Sequence, residues 1–130
     1  MKKPLLILSL LLSTTTFSSL SFGEWKLLLS VESQGDFYLD IDRIREIDGR
    51  FFVWIMGNPS RPVTGRRSEV QYFEADCKLM RVRPLSIAYY DREMAEGEPS
   101  STKTLDATDW MYGPPNSSEE FLINSICDEV

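Results

Sequence analysis

Phe51-Phe52-Val53-Trp54-Ile55-Met56 is an unbroken apolar run rich in aromatic and β-branched side chains, and its reading decides the fold. Strand side chains alternate between faces, so Phe51, Val53 and Ile55 point one way and Phe52, Trp54 and Met56 the other. Both faces of this strand therefore need burial. A helix can cover one. The other needs a loop, sheet curvature or another chain, and an intrachain cover is expected ahead of a homodimer.

Upstream of the run, Ile47-Asp48-Gly49-Arg50 carries the Asp-Gly pair of a short hairpin. Before it, Phe37 to Ile41 reads as a strand, and Ser33-Gln34-Gly35-Asp36 as a turn. Glu24 to Val31 is a first strand with Trp25, Leu27 and Leu29 on one face. Downstream, Asn58-Pro59-Ser60-Arg61-Pro62 opens a loop that runs through Gly65-Arg66-Arg67. Ser68 to Ala75 is the next strand, turned at Asp76-Cys77-Lys78 into a long strand from Leu79 to Tyr90. In that strand Met80 and Val82 share one parity and Leu85, Ile87 and Tyr89 the opposite one, which places a bulge or bend at Pro84.

Asp91 to Lys103 is acidic and aperiodic, and is expected to be a solvated loop; Thr104 to Tyr112 is expected to add a short strand. After Gly113-Pro114-Pro115, Ser117 can cap a helix and Glu120 can complete a capping box. Phe121, Leu122, Ile123 and Ile126 give that helix its apolar stripe, with Cys127 in the last turn. Strands in series followed by one helix make this one small, β-rich domain.

The chain begins with the three parts of a secretory signal. Lys2 and Lys3 are the positive start, Pro4 to Leu12 is apolar except for Ser9, and Ser21-Phe22-Gly23 is a small-x-small end. The apolar run is shorter than the ~20 residues of a membrane span. Cleavage is expected after Gly23, with Ser21 as the alternative, and removing residues 1–23 leaves a single domain, residues 24–130. No cysteine follows the apolar run, so a lipid anchor at that junction is not expected. The protein is expected in the periplasm or at the cell surface. Losing the two lysines takes the formal charge from -6 to -8, a balance that argues against nucleic acid and anionic lipid as partners.

Only two cysteines occur, Cys77 and Cys127, and in an exported chain the simplest reading is that they pair. A redox role has neither a Cys-x-x-Cys motif nor a histidine behind it. The absence of histidine also removes the usual neutral-pH base, the commonest metal ligand and any Ser-His-Asp arrangement. No cofactor, metal or catalytic residue is expected. Asp40 and Asp42, two apart, would share a strand face, but such a pair at a strand end more often caps a turn. Asp91, Glu93, Glu96 and Glu98 lack the spacing of a calcium loop. Arg81 and Arg83 project from one strand face and are expected to pair with carboxylates on neighbouring strands. Arg61, Arg66 and Arg67 are left as a local positive patch on an acidic protein, where a planar guanidinium suits carboxylate or sulfate.

Taken together, the Trp25 strand, Phe37-Tyr38-Leu39-Asp40 with the Asp42-Arg43-Ile44 corner, Phe51–Met56, the strand ending Phe73-Glu74-Ala75-Asp76-Cys77, Arg81 to Tyr90, Trp110, the Gly-Pro-Pro turn and the terminal Cys127 helix form a pattern. It resembles the bacterial surface-adhesin protein E family across nearly the whole mature chain. The resemblance implies an α+β domain, a small curved antiparallel sheet of about six strands with its C-terminal helix packed on one face and held on the concave side by a Cys77–Cys127 bond. It also implies a non-enzymatic surface protein, in some cases dimeric, that binds host extracellular-matrix or serum proteins such as vitronectin and laminin. The competing expectation is a soluble periplasmic accessory protein, partnered within the envelope and without adhesin activity.

Overall fold

The computed structural model describes residues 24–106 and 109–130; the expected signal, residues 1–23, lies outside them. Seven strands and one helix follow in chain order: β1 (Trp25–Val31), β2 (Gly35–Asp40), β3 (Arg45–Ile47), β4 (Arg50–Asn58), β5 (Ser68–Asp76), β6 (Arg81–Tyr90), β7 (Ser101–Thr104) and α1 (Ser118–Glu129). They form one antiparallel sheet in the order β1-β2-β4-β5-β6-β7, with β3 also paired to β4. β5 occupies one flank of β4 from Phe51 to Gly57, so β2 and β3 share the other flank. They are two halves of a broken strand, Leu39 lying opposite Ile55 and Arg45 opposite Phe52, with a short turn at Ile41–Arg43 between them.

The aromatic run sits in the middle of this meander, as its two apolar faces require. Its hairpin closes with Ile47 opposite Arg50, and Asp48 and Gly49 at φ 51 and 77, the two positive values of a type I′ turn. On one face Val53 and Ile55 join Leu39, Phe73, Ala75 and Val82 in a core closed by Ile123 and Ile126 of α1. The Cys77–Cys127 disulfide, Cα to Cα 5.5 Å, fastens the last turn of α1 to the chain just after β5. Closing a loop of about 50 residues stabilises a fold by roughly 4 kcal/mol in the chain-entropy picture. Ser117 caps the helix through the Glu120 N–H at 3.1 Å, while the Glu120 carboxylate reaches one residue past the usual partner to accept the Asn116 N–H.

The other face is covered within the chain, by the segment expected to be solvated. Residues 91–97 fold back over β4 and β5 around a short turn at Glu93–Ala95. The Ser68 hydroxyl donates to the Arg92 carbonyl and accepts the Ala95 N–H at 2.9 Å, and Asn58 Oδ1 accepts the Met94 N–H at 3.0 Å. Met56 and Val70 are buried on this face. The carboxylates of Asp91, Glu93, Glu96 and Glu98 do remain exposed. It is the backbone between them that packs, and charge pattern does not report that.

Three further expectations are corrected. Leu27 is 51% exposed and Leu28 packs on the core, because a bulge between Leu27 and Leu29 shifts the register of β1. Phe121 is 55% exposed, since the helix turns Leu122, Ile123 and Ile126 inward instead. The strand expected over 104–112 lies earlier, at Ser101–Thr104, while Met111 makes a single bridge to Val82. The parity change in β6 is a bulge between Pro84 and Ser86, which face Phe73 and Tyr72.

Candidate functional site

Two groups of arginines decorate the sheet, and their surroundings differ. On the face opposite the helix, cross-strand register puts Glu74 beside Arg83 and Asp76 beside Arg81. Glu74, 5% exposed, takes Arg83 Nε at 2.6 Å on one oxygen and Arg50 Nη1 at 2.8 Å on the other. Asp76 accepts Arg81 Nε at 3.0 Å and the Leu79 N–H at 3.2 Å. The Trp110 ring lies among all three guanidiniums, 5.3 Å from Arg50, 4.2 Å from Arg81 and 4.4 Å from Arg83. Burial opposes ionisation of Glu74, but its bonds to Arg83 and Arg50 outweigh it and hold the carboxyl below its ordinary value. Asp76 is likewise lowered: burial is outweighed by the Leu79 N–H and by Arg81. The expectation for Arg81 and Arg83 is met. Arg50, which completes the cluster, was not singled out in the sequence, and Trp110 entered there only as part of the family pattern.

The second group is the loop between β4 and β5. Val63 and Arg66 exchange backbone hydrogen bonds at 2.9 and 3.0 Å across Thr64 and Gly65, whose φ values are 49 and 76. The loop is thus a second, miniature type I′ hairpin, with glycine where the turn needs it. Its base is pinned by the Arg67 N–H on the Tyr90 carbonyl at 2.9 Å. Below it, Gly35 at φ +114 lies so close to the Asn58 carbonyl that a side chain there would collide with it. The Arg66 guanidinium stacks on the Tyr89 ring at 3.8 Å.

Under this hairpin lies a groove. Phe37, Gly57, Glu69 and Tyr89 are in register across β2, β4, β5 and β6, on the helix side of the sheet. Gly57 supplies no side chain to that row, and the row floors a cleft of about 300 Å³ walled by Val63, Arg66 and Pro59. A neighbouring cleft of about 540 Å³ shares Gln34, Pro59 and Val63 with it and is lined further by Arg61 and Glu32. Arg61 and Arg66 therefore line two adjoining clefts, whereas Arg67 lines neither. Among the described residues none of these three side chains has a salt-bridge partner. The groove residues Phe37, Gly57 and Tyr89 were missed in the sequence. The available signal was Gly57 ending the apolar run inside a strand, a position that marks a dip or a close approach.

Asp40 and Asp42 do not form a paired site. Asp40 is fully buried at the end of β2, where it accepts the Asp42 N–H at 3.1 Å and Arg43 Nη1 at 2.8 Å; Asp42 lies in the following turn. This is the turn-capping role. Among the described residues no helix is long and apolar enough to cross a membrane.

Comparison with known proteins adds the following. No curated protein matches the sequence. The fold is similar to that of Haemophilus influenzae protein E in its second crystal form, with a TM-score of 0.64, 13% identity, and coverage of 80% of this chain and 87% of that one. Protein E from non-typeable Haemophilus influenzae is similar at a TM-score of 0.62 and 14% identity, covering 83% of this chain and 79% of that one. The family model described as surface-adhesin protein E matches residues 25–128, nearly everything from β1 to the end of α1. The chain belongs to the surface-adhesin protein E family.

Proposed function

We propose that this protein is exported with loss of residues 1–23 and acts as a non-enzymatic binding module of the bacterial cell envelope. In this reading its partners are extracellular-matrix or serum proteins, met through the loop that carries Arg61, Arg66 and Arg67. The observation that carries the proposal is the contrast between the arginines within a domain of this family. Arg50, Arg81 and Arg83 are committed to carboxylates, while the loop arginines are exposed and hold no ion pair among the described residues. The disulfide supports export, since such bonds persist in oxidising compartments.

The test is binding of the purified protein to immobilised vitronectin and laminin at rising salt. Saturable binding that weakens with salt, and weakens again on replacing Arg61 and Arg66 together by Gln, is the expected result. Surface labelling of intact cells belongs beside it. A protein shielded from the label, or one that captures neither matrix protein, would instead be the soluble periplasmic accessory.

A further inference from the structure

The groove beneath the Val63–Arg66 hairpin is shaped for one kind of occupant. Its floor and walls are largely apolar: Phe37, the gap at Gly57, Pro59, Val63 and the Tyr89 ring. Arg66 lines this cleft and Arg61 the adjoining one, which shares Gln34, Pro59 and Val63 with it. Val63 is 61% exposed, a large apolar side chain presented to solvent between the two arginines. Arg66 is held in place before any partner arrives, by its backbone pairing with Val63 and by stacking on Tyr89. Less side-chain freedom is then lost on binding.

We infer that this groove receives an extended segment of a protein partner that carries an apolar side chain between two carboxylates. The apolar side chain sits over Gly57 against Phe37 and Val63, and the carboxylates meet Arg66 and Arg61. Guanidinium forks pair with carboxylates through two parallel N–H bonds, and an extended chain reaches both arginines where a compact ligand reaches one. A sulfated polysaccharide fits less well. It has no apolar side chain for the floor. The inference rests on the proposed function only in taking a protein as the partner.

The probes are three fluorescein-labelled peptides, one repeating Glu-Ser-Leu-Ser so that Glu and Leu share a face of an extended chain, one repeating Gln-Ser-Leu-Ser and one of Glu alone, and a labelled heparin oligosaccharide. Anisotropy titrations on the purified exported protein should show the Glu/Leu peptide binding at least ~10-fold more tightly than the other three, as loss of charge-assisted hydrogen bonds predicts. Arg66→Gln should weaken it by roughly 10-fold, and Gly57→Ala by roughly 3-fold because the added methyl raises the floor. The new Cβ would lie 3.4 Å from Glu69 and 3.5 Å from Phe37, ordinary contact distances, so this variant folds. Arg45→Gln, at an exposed position on β3 that lines neither cleft, should change affinity less than about 2-fold, its effect being only long-range and screened.

Equal losses from Arg66→Gln and Arg45→Gln would overturn the inference in favour of diffuse attraction. Tighter binding of heparin or of the all-Glu peptide would overturn it in favour of a polyanion surface. The same variants on vitronectin and laminin separate this inference from the proposed function. If the matrix proteins bind and the Glu/Leu peptide does not, the groove assignment fails and the adhesin reading stands. If the peptide binds and neither matrix protein does, the groove stands and the choice of partner fails.

Discussion

The two arginine groups have the same side chain and opposite fates, and the difference is one of register. Arg81 and Arg83 leave a strand at positions where β5 presents Asp76 and Glu74 directly across. Arg50 reaches the same Glu74 from the other side. Arg61, Arg66 and Arg67 lie in a loop, where no neighbouring strand places a carboxylate opposite them. In the first region a cluster of charge becomes part of the fold, and Trp110 closes over it. In the second the charge stays exposed, with no ion pair among the described residues, and backbone pairing holds the loop in place. Local arginine density alone would have ranked the two regions equally.

The hardest blow to this contrast falls on Glu74. It serves two arginines at once from a nearly buried position. Replacing it by Ala leaves both guanidiniums without their acceptor, and the cost is expected to be about 2–3 kcal/mol, below the fully buried case because both arginines reach water. Urea midpoints measure it, with Arg61→Ala as the companion variant. If Glu74→Ala unfolds no earlier than Arg61→Ala, the paired region is not structural and the contrast collapses.

Acid produces a milder version of the same loss, because a protonated carboxyl keeps its shape and one acceptor. Glu74 and Asp76 are held below their ordinary values of 4.5 and 3.8. Their contribution is therefore fully present above those values and lost as pH falls through the lowered ones. The thermal midpoint should drop along that acid limb, and Glu74→Gln should flatten the drop. An unchanged acid limb in Glu74→Gln would mean that other carboxylates carry the transition.

Much of this architecture is legible from residue order because it is local or periodic. Asp48-Gly49 dictates a turn, six consecutive apolar residues dictate an inner strand, and two lone cysteines in an exported chain dictate their bond. Arg81 and Arg83 share a strand face, so pairing with an adjacent strand could be anticipated. What escaped depends on contacts that periodicity does not encode. Three leucines in a row, Leu27 to Leu29, fit either parity, so the bulge in β1 is silent in the sequence. The cover at 91–97 is fixed by backbone groups bonding to Ser68 and Asn58, far away along the chain. The groove is a row of four residues from four strands, and only the assembled register brings Phe37, Gly57, Glu69 and Tyr89 together.

Trp110 tests how far the paired region depends on its aromatic ring rather than on its ion pairs. Three guanidiniums within 5.3 Å of the ring centroid give it cation–π contact on a partly exposed surface. Truncation to Ala is expected to cost about 1–2 kcal/mol, and Phe should recover part of it because the ring face is retained. The readout is again the urea midpoint. A Phe variant as unstable as the Ala variant would show that packing of the larger indole dominates over its attraction for the arginines.

The smallest effects belong to the loop, and they sharpen the contrast by being small. Arg61 and Arg67 are exposed and have no salt-bridge partner among the described residues, so Gln at either should move stability by less than about 0.5 kcal/mol. Arg66 differs by its stack on Tyr89, an exposed cation–π contact worth about 0.5–1 kcal/mol. Arg66→Gln should therefore sit just below the other two in thermal midpoint, and Tyr89→Leu should abolish that difference. The order matters more than the size. A loop held by its own hairpin should keep its shape when Arg66 is replaced, so amide exchange at Val63 and Arg66 should stay slow in Arg66→Gln. Fast exchange there would mean that the stack, not the backbone pairing, orders the loop, and that the second region too spends its arginine on the fold.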